Sequence, residues 1–135
     1  MIAEYISSGT HDCPLIKLYD YSYNELASLC EVLGKLGRLE QASVDFAQLD
    51  FASISGMNSF RLIVGGRPCV SDYEGRFTWG NRSEDWLAVI KMLEPLLSTD
   101  TNAGYHQWLA GREASEPFDR TDIAVVITDS REGAW

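Results

Sequence analysis

Only two stretches of this chain carry apolar residues at helical spacing. The rest alternates with period two or breaks at glycine and proline, which restricts the fold to an α+β class with more strands than helices. The first helix is signalled by Ser22, which can cap it, and by Glu25, which completes a capping box. Leu26, Leu29, Cys30, Leu33 and Leu36 then form one apolar stripe, and Gly37 is placed to stop it. Cys30 falls inside that stripe and reads as a small core residue rather than a nucleophile. The second helix opens at Ser83, sets Glu84 and Asp85 in its positive first turn and buries Trp86, Val89, Ile90 and Leu93. Pro95 should end it, because its ring clashes with the preceding turn and it lacks an amide donor. Leu96 and Leu97 then belong to a separate final turn.

Strand patterns fill the intervals. Residues 15–21 alternate Ile16 and Leu18 against Lys17, Tyr19 and Tyr21, giving one core face and one amphipathic face. Residues 42–51 change phase, with Val44 and Phe46 on one parity and Leu49 and Phe51 on the other, which predicts a bulge near Ala47 and Gln48. Residues 60–64 form the next strand, Gly65, Gly66 and Pro68 a turn, and residues 69–79 a pair of strands broken at Glu74 and Gly75. Together these read as an antiparallel meander. Residues 104–109 form another strand, and residues 122–128 contain an apolar run on both parities, expected of a central strand covered on both faces. Residues 129–133 read as a turn, with Ala134 and Trp135 as a returning arm, and residues 2–6 offer one extra strand.

The order β-α-β-β-β-α-β-β predicts one largely antiparallel sheet of about five to six strands with two helices packed on one face. No repeat, low-complexity tract or linker interrupts the 135 residues, so residues 1–135 are expected to form a single globular domain.

Charge narrows the function. Twenty acidic side chains oppose eleven basic ones, for a net charge of -9. A general phosphate-binding surface needs clustered lysine and arginine, so nucleic acid and anionic membrane are not expected partners. A basic protein is, through steering that weakens with salt. The same charge also serves solubility alone. Cys13, Cys30 and Cys69 are odd in number, widely spaced and without a Cys-x-x-Cys pair, which fits reduced thiols rather than a disulfide framework or a zinc ribbon. Residues 1–8 lack a signal-peptide pattern, so a cytoplasmic location is expected.

Catalytic motifs are missing from the sequence. It contains no Gly-x-Ser-x-Gly, no Walker loop and no His-Glu-x-x-His, and Gly65 and Gly66 lead into Arg67 and Pro68 rather than into a helix. His11, Asp12 and Cys13 are potential ligands, but adjacent residues rarely converge on one ion, and Pro14 closes what reads as a polar turn. No metal and no cofactor are expected. His106, beside Gln107 and Trp108, could serve as a general base if folding brought a carboxylate to orient it.

Two surface patterns stand out. Arg61, Arg67, Arg76 and Arg82 gather positive charge in the middle of the chain, opposed there by Asp72 and Glu74, while residues 113–132 carry six carboxylates against Arg120 and Arg131. This predicts two electrostatic poles. Tyr19, Tyr21 and Tyr23 recur at spacing two, whereas Phe77 and Trp79 share a face that suits the core. Tyr19 and Tyr21 are therefore expected in an exposed aromatic patch.

These patterns point to a non-enzymatic, acidic, cytoplasmic domain that binds a basic protein. Glu113, Glu116, Asp119 and Asp122 are the first expected contacts, with Tyr19 and Tyr21 beside them. In size and charge the chain resembles small acidic inhibitors such as the immunity proteins that block basic toxin nucleases. That resemblance covers no motif and implies no residue roles. The alternatives are a small enzyme or ligand-binding domain using His106, and a homo-oligomeric module joined through the tyrosine strand or the Trp135 arm.

Overall fold

A computed structural model describes residues 1–9, 13–66, 68–97, 106–110 and 123–129. Along the chain run β1 (Ile2–Ile6), β2 (Leu15–Tyr19), α1 (Tyr23–Gly37), β3 (Ser43–Asp45), β4 (Ser53–Ser55), β5 (Ser59–Val64), β6 (Cys69–Tyr73), β7 (Arg76–Asn81), α2 (Ser83–Leu93), β8 (His106–Ala110) and β9 (Ala124–Thr128). Short 3-10 turns occupy Phe46–Gln48 and Glu94–Leu97, the second being the separate turn that Pro95 imposes. No helix among the described residues is long and apolar enough to cross a membrane.

The start of α1 is held as the sequence specifies. The Ser22 hydroxyl accepts from the Glu25 amide at 3.2 Å, and the Glu25 carboxylate accepts from the Ser22 amide at 2.8 Å. The other Glu25 oxygen takes the Met1 ammonium at 3.0 Å, which also donates to the Phe51 carbonyl at 2.7 Å. Glu25 thus ties the helix start to β1. The Ser22 amide and then the Met1 ammonium hold its carboxyl below its ordinary value of 4.5, against a smaller opposing push from burial. A depressed folded value means the ionised form stabilises the fold: the contribution is complete above the unfolded value and is lost as pH falls through the folded one. Glu25→Gln is therefore expected to cost about 1–2 kcal/mol at neutral pH. Chemical denaturation should show that gap closing as pH drops well below 4.5.

The helix ends at Gly37, but not because glycine supplies the left-handed turn. Leu39 occupies that position with φ 60°, while the Glu40 amide donates to Lys35 O at 2.8 Å and the Leu39 amide to Leu36 O at 3.1 Å. Gly37 instead permits close approach of α2, since a Cβ there would lie 2.5 Å from Leu87 Cδ2.

The strands form two sheets, not one of five to six strands. A five-stranded sheet has the order β4-β1-β2-β9-β8 and a four-stranded sheet the order β3-β5-β7-β6. Three of the seven strand pairs are parallel, namely β1 with β4, β2 with β9 and β5 with β7, so the pairing is mixed. Two local events explain the difference. The phase change in residues 42–51 is a crossing between sheets rather than a bulge: β3 pairs with β5, the Asp45 carboxylate caps the next turn by accepting from the Ala47 amide at 3.1 Å, and β4 then joins β1 in the other sheet. The expected meander also fails. Glu74 at φ 53° and Gly75 at φ 80° close a tight hairpin that lays β7 between β6 and β5, parallel to the latter.

One apolar cluster joins both sheets and both helices. Ile16, Leu18, Val125 and Ile127 enter it from the five-stranded sheet, Phe60, Leu62, Phe77 and Trp79 from the four-stranded one, and Leu26, Leu29, Leu33, Trp86, Val89 and Leu93 from the helices. Tyr5 links the sheets by packing on Phe77 at 4.6 Å between ring centres. Trp86 stands edge-on to Trp79 at 4.8 Å and donates its indole N–H to Ile63 O at 2.9 Å, locking α2 onto β5 and β7. As expected, β9 is a central strand buried on both parities. Leu15, Ala124 and Val126 form a second small cluster on the outer face, with Ile6, Cys13 and Trp108 against it.

Candidate functional site

The outer face of the five-stranded sheet carries a cluster of charged and polar side chains. Register places Glu4 beside Lys17, and Lys17 beside Val126, which is flanked in turn by Trp108. In the neighbouring row Tyr19 lies one step beyond the Leu18/Ile127 pair, level with Thr128, and Thr128 pairs with His106. Lys17 is fully buried, with its Nζ 4.5 Å from the centre of the Tyr19 ring. The Tyr19 hydroxyl donates to Glu4 Oε1 at 2.9 Å. Burial pushes the Lys17 ammonium below its ordinary value and the nearby Glu4 charge pulls it back. Burial also raises the Tyr19 phenol, followed by its bond to Glu4 and the charges of Glu4 and Asp20. The cluster is a compensated charge set laid across adjacent strands, well suited to fixing strand register and orienting side chains.

This geometry corrects the aromatic expectation. Tyr19 is buried, and Tyr21 is half-buried with its hydroxyl enclosed and without a hydrogen-bond partner. Burial, then the charge of Asp129, pushes its phenol up to about 12. Of the three tyrosines only Tyr23 is exposed. β2 lies inside the sheet between β1 and β9 and so offers no free edge for a partner strand, and all five of its residues are buried. Lys17 and Glu4 were not singled out by motif. The available signal was a lone lysine within the run Leu15–Tyr19, of the parity that would have to be buried if the strand were central.

His106 shares the outer face but not the cluster. Two strand spacings separate it from Tyr19, about 10 Å at the backbone. Its side chain is exposed and its ring lies 6.5 Å from that of Trp108. It lines neither of two surface clefts. The first, about 330 Å³, lies between α2 and β8, where Ala88, Val89, Met92 and Trp108 provide apolar walls and Arg82 and Asp85 a polar end. That end is internally satisfied, because Arg82 Nε donates to Asp85 at 3.0 Å. The Asn81 amide, oriented to satisfy both its atoms, accepts from the Trp79 indole at 3.1 Å and donates to Gly80 O at 3.3 Å. The second cleft, about 320 Å³, lies between α1 and β3 with Val32, Lys35, Asp45 and Gln48 in its lining.

The arginines do not build a positive pole among the described residues. Arg76 lies 3.8 Å from Glu74, Arg82 lies 3.6 Å from Glu84 and 3.0 Å from Asp85, and Arg38 pairs with Glu40 at 2.9 Å. Arg61 donates to Ser43 at 3.3 Å and pairs in register with Asp45. The acidic contacts expected at Glu113, Glu116, Asp119 and Asp122 lie outside the described residues, as do Arg67, His11, Asp12 and the Trp135 arm. No group of three or more metal-ligating side chains exists among the described residues, and no disulfide joins Cys13, Cys30 and Cys69 to one another. No protein-family model, no curated protein and no solved structure matches the chain.

Proposed function

We propose that this chain is a non-enzymatic protein-binding domain that engages a basic protein through its carboxylates, in the manner of a small inhibitor. The observation that carries the proposal is the disposition of charge. Described arginines sit beside carboxylates of their own chain, while Asp20, Glu31, Asp50 and Glu94 are exposed and make no ion pair among the described residues. Those four carboxylates face outward without an ion-pair partner among the described residues, in a chain whose net charge is -9, an arrangement that suits steering of a cationic partner. Three widely spaced cysteines, an odd number, suit a reducing compartment, so the cytoplasm belongs to the same proposal.

Glu113, Glu116, Asp119 and Asp122 are its first contact residues. The test is capture from the source cell's extract on immobilised chain, with the retained proteins identified by mass spectrometry. A supporting outcome is a protein of high isoelectric point whose retention falls as salt rises and drops when the four carboxylates are replaced by lysine. Retention unchanged by those replacements, or insensitive to salt, would overturn the proposal.

A further inference from the structure

The outward face of α2 is self-complementary. Glu84, Leu87, Ala88, Lys91 and Met92 are all exposed and recur at helical spacing, so they form one stripe along the helix. Two of the five exposed large apolar side chains among the described residues, Leu87 and Met92, lie on it. Acid stands at the N-terminal end of the stripe, base at the C-terminal end, and apolar residues between. Lys91 makes no ion pair among the described residues, and the Glu84 side chain is 65 % exposed although 3.6 Å from Arg82.

We propose that this face is a two-fold interface with a second copy of the chain, the two α2 helices packing antiparallel. An axis passing between Leu87 and Ala88 sets Glu84 of each copy against Lys91 of the other and brings the two Ala88 residues to the crossing, flanked by the exposed part of each Leu87, whose tip rests on Gly37 of its own chain. Alanine at the crossing lets the helices approach closely. Antiparallel helices also oppose their dipoles favourably. Charge decides the occupant: the stripe carries one acid and one base placed symmetrically about its apolar centre, which a copy of itself satisfies completely. With 11 residues α2 is only about 16 Å long, so the contact is small and the dimer forms in a concentration-dependent equilibrium.

Sedimentation equilibrium over a range of protein concentration tests this. The unmodified chain should show a monomer–dimer equilibrium, and Lys91→Glu should weaken association about tenfold by facing Glu84 with a like charge. Glu84→Lys should weaken it similarly, although that change lowers the net negative charge and on long-range repulsion alone would strengthen it. The combined Glu84→Lys and Lys91→Glu chain keeps the net charge at -9 and should recover the original association. Ala88→Arg, on an exposed position, should abolish the dimer without unfolding the chain, with circular dichroism as the control. A chain that remains monomeric throughout, association unmoved by the single reversals, or failure of the combined variant to recover it would each overturn the proposal.

Discussion

Trp86→Ala is expected to lower the stability of this fold by about 4 kcal/mol, the range for deleting a large aromatic side chain from a packed core. Trp86 is wholly buried on the inward side of α2 and stands edge-on to Trp79. Its removal leaves a void where α2 crosses β5 and β7, and it strands the Ile63 carbonyl that the indole N–H serves at 2.9 Å. The two losses can be separated. Trp86→Phe retains most of the apolar contact but not the donor, and should cost about 1–3 kcal/mol. Urea midpoints of the three chains should therefore fall in the order unmodified, phenylalanine, alanine, with unchanged slopes. A Trp86→Ala chain within about 1 kcal/mol of the parent would mean that α2 is not anchored as described.

The same tryptophan shows what the sequence makes legible. Its place in the stripe with Val89, Ile90 and Leu93 is a local pattern, and helices are read from local patterns; α1 likewise follows from Ser22, Glu25 and the leucines behind them. Which sheet α2 would rest on is not local. The split into two sheets depends on β4 leaving β3 to pair with β1, and on β7 inserting between β5 and β6. Short strands with mixed parity place no constraint on their distant partners. The phase change after Asp45 was visible in the sequence, but a bulge and a crossing between sheets give the same alternation.

The site followed the same rule. Tyr19 was legible as an amphipathic strand residue, but its burial depends on β9 arriving from more than a hundred residues away to flank β2. Sequence clustering also misled the reading of charge: Arg61, Arg76 and Arg82 lie near one another along the chain, yet each is set by folding or by immediate neighbours against an acid or a hydroxyl. His106 was correctly placed on a strand, and the fold then put it on an edge, outside the Glu4, Lys17 and Tyr19 cluster.

That cluster is the second place where a single substitution should have a large effect. Lys17→Glu puts a second carboxylate on a fully buried position directly across from Glu4, so attraction becomes repulsion in a poorly solvated layer, and the expected loss is about 3–5 kcal/mol. Lys17→Met fills a similar volume with no charge. Glu4 is only partly buried and keeps the Tyr19 hydroxyl, so it can be rehydrated, and the methionine chain should lose no more than about 1–2 kcal/mol. The two variants should also differ in their response to acid. In Lys17→Glu the new carboxyl, raised by burial and by Glu4, destabilises the fold only while ionised, so its deficit shrinks as pH falls through that raised value. The methionine variant has no such group at position 17 and should not recover in this way. Equal losses for glutamate and methionine at neutral pH, with parallel acid profiles, would show that Glu4 does not interact with position 17.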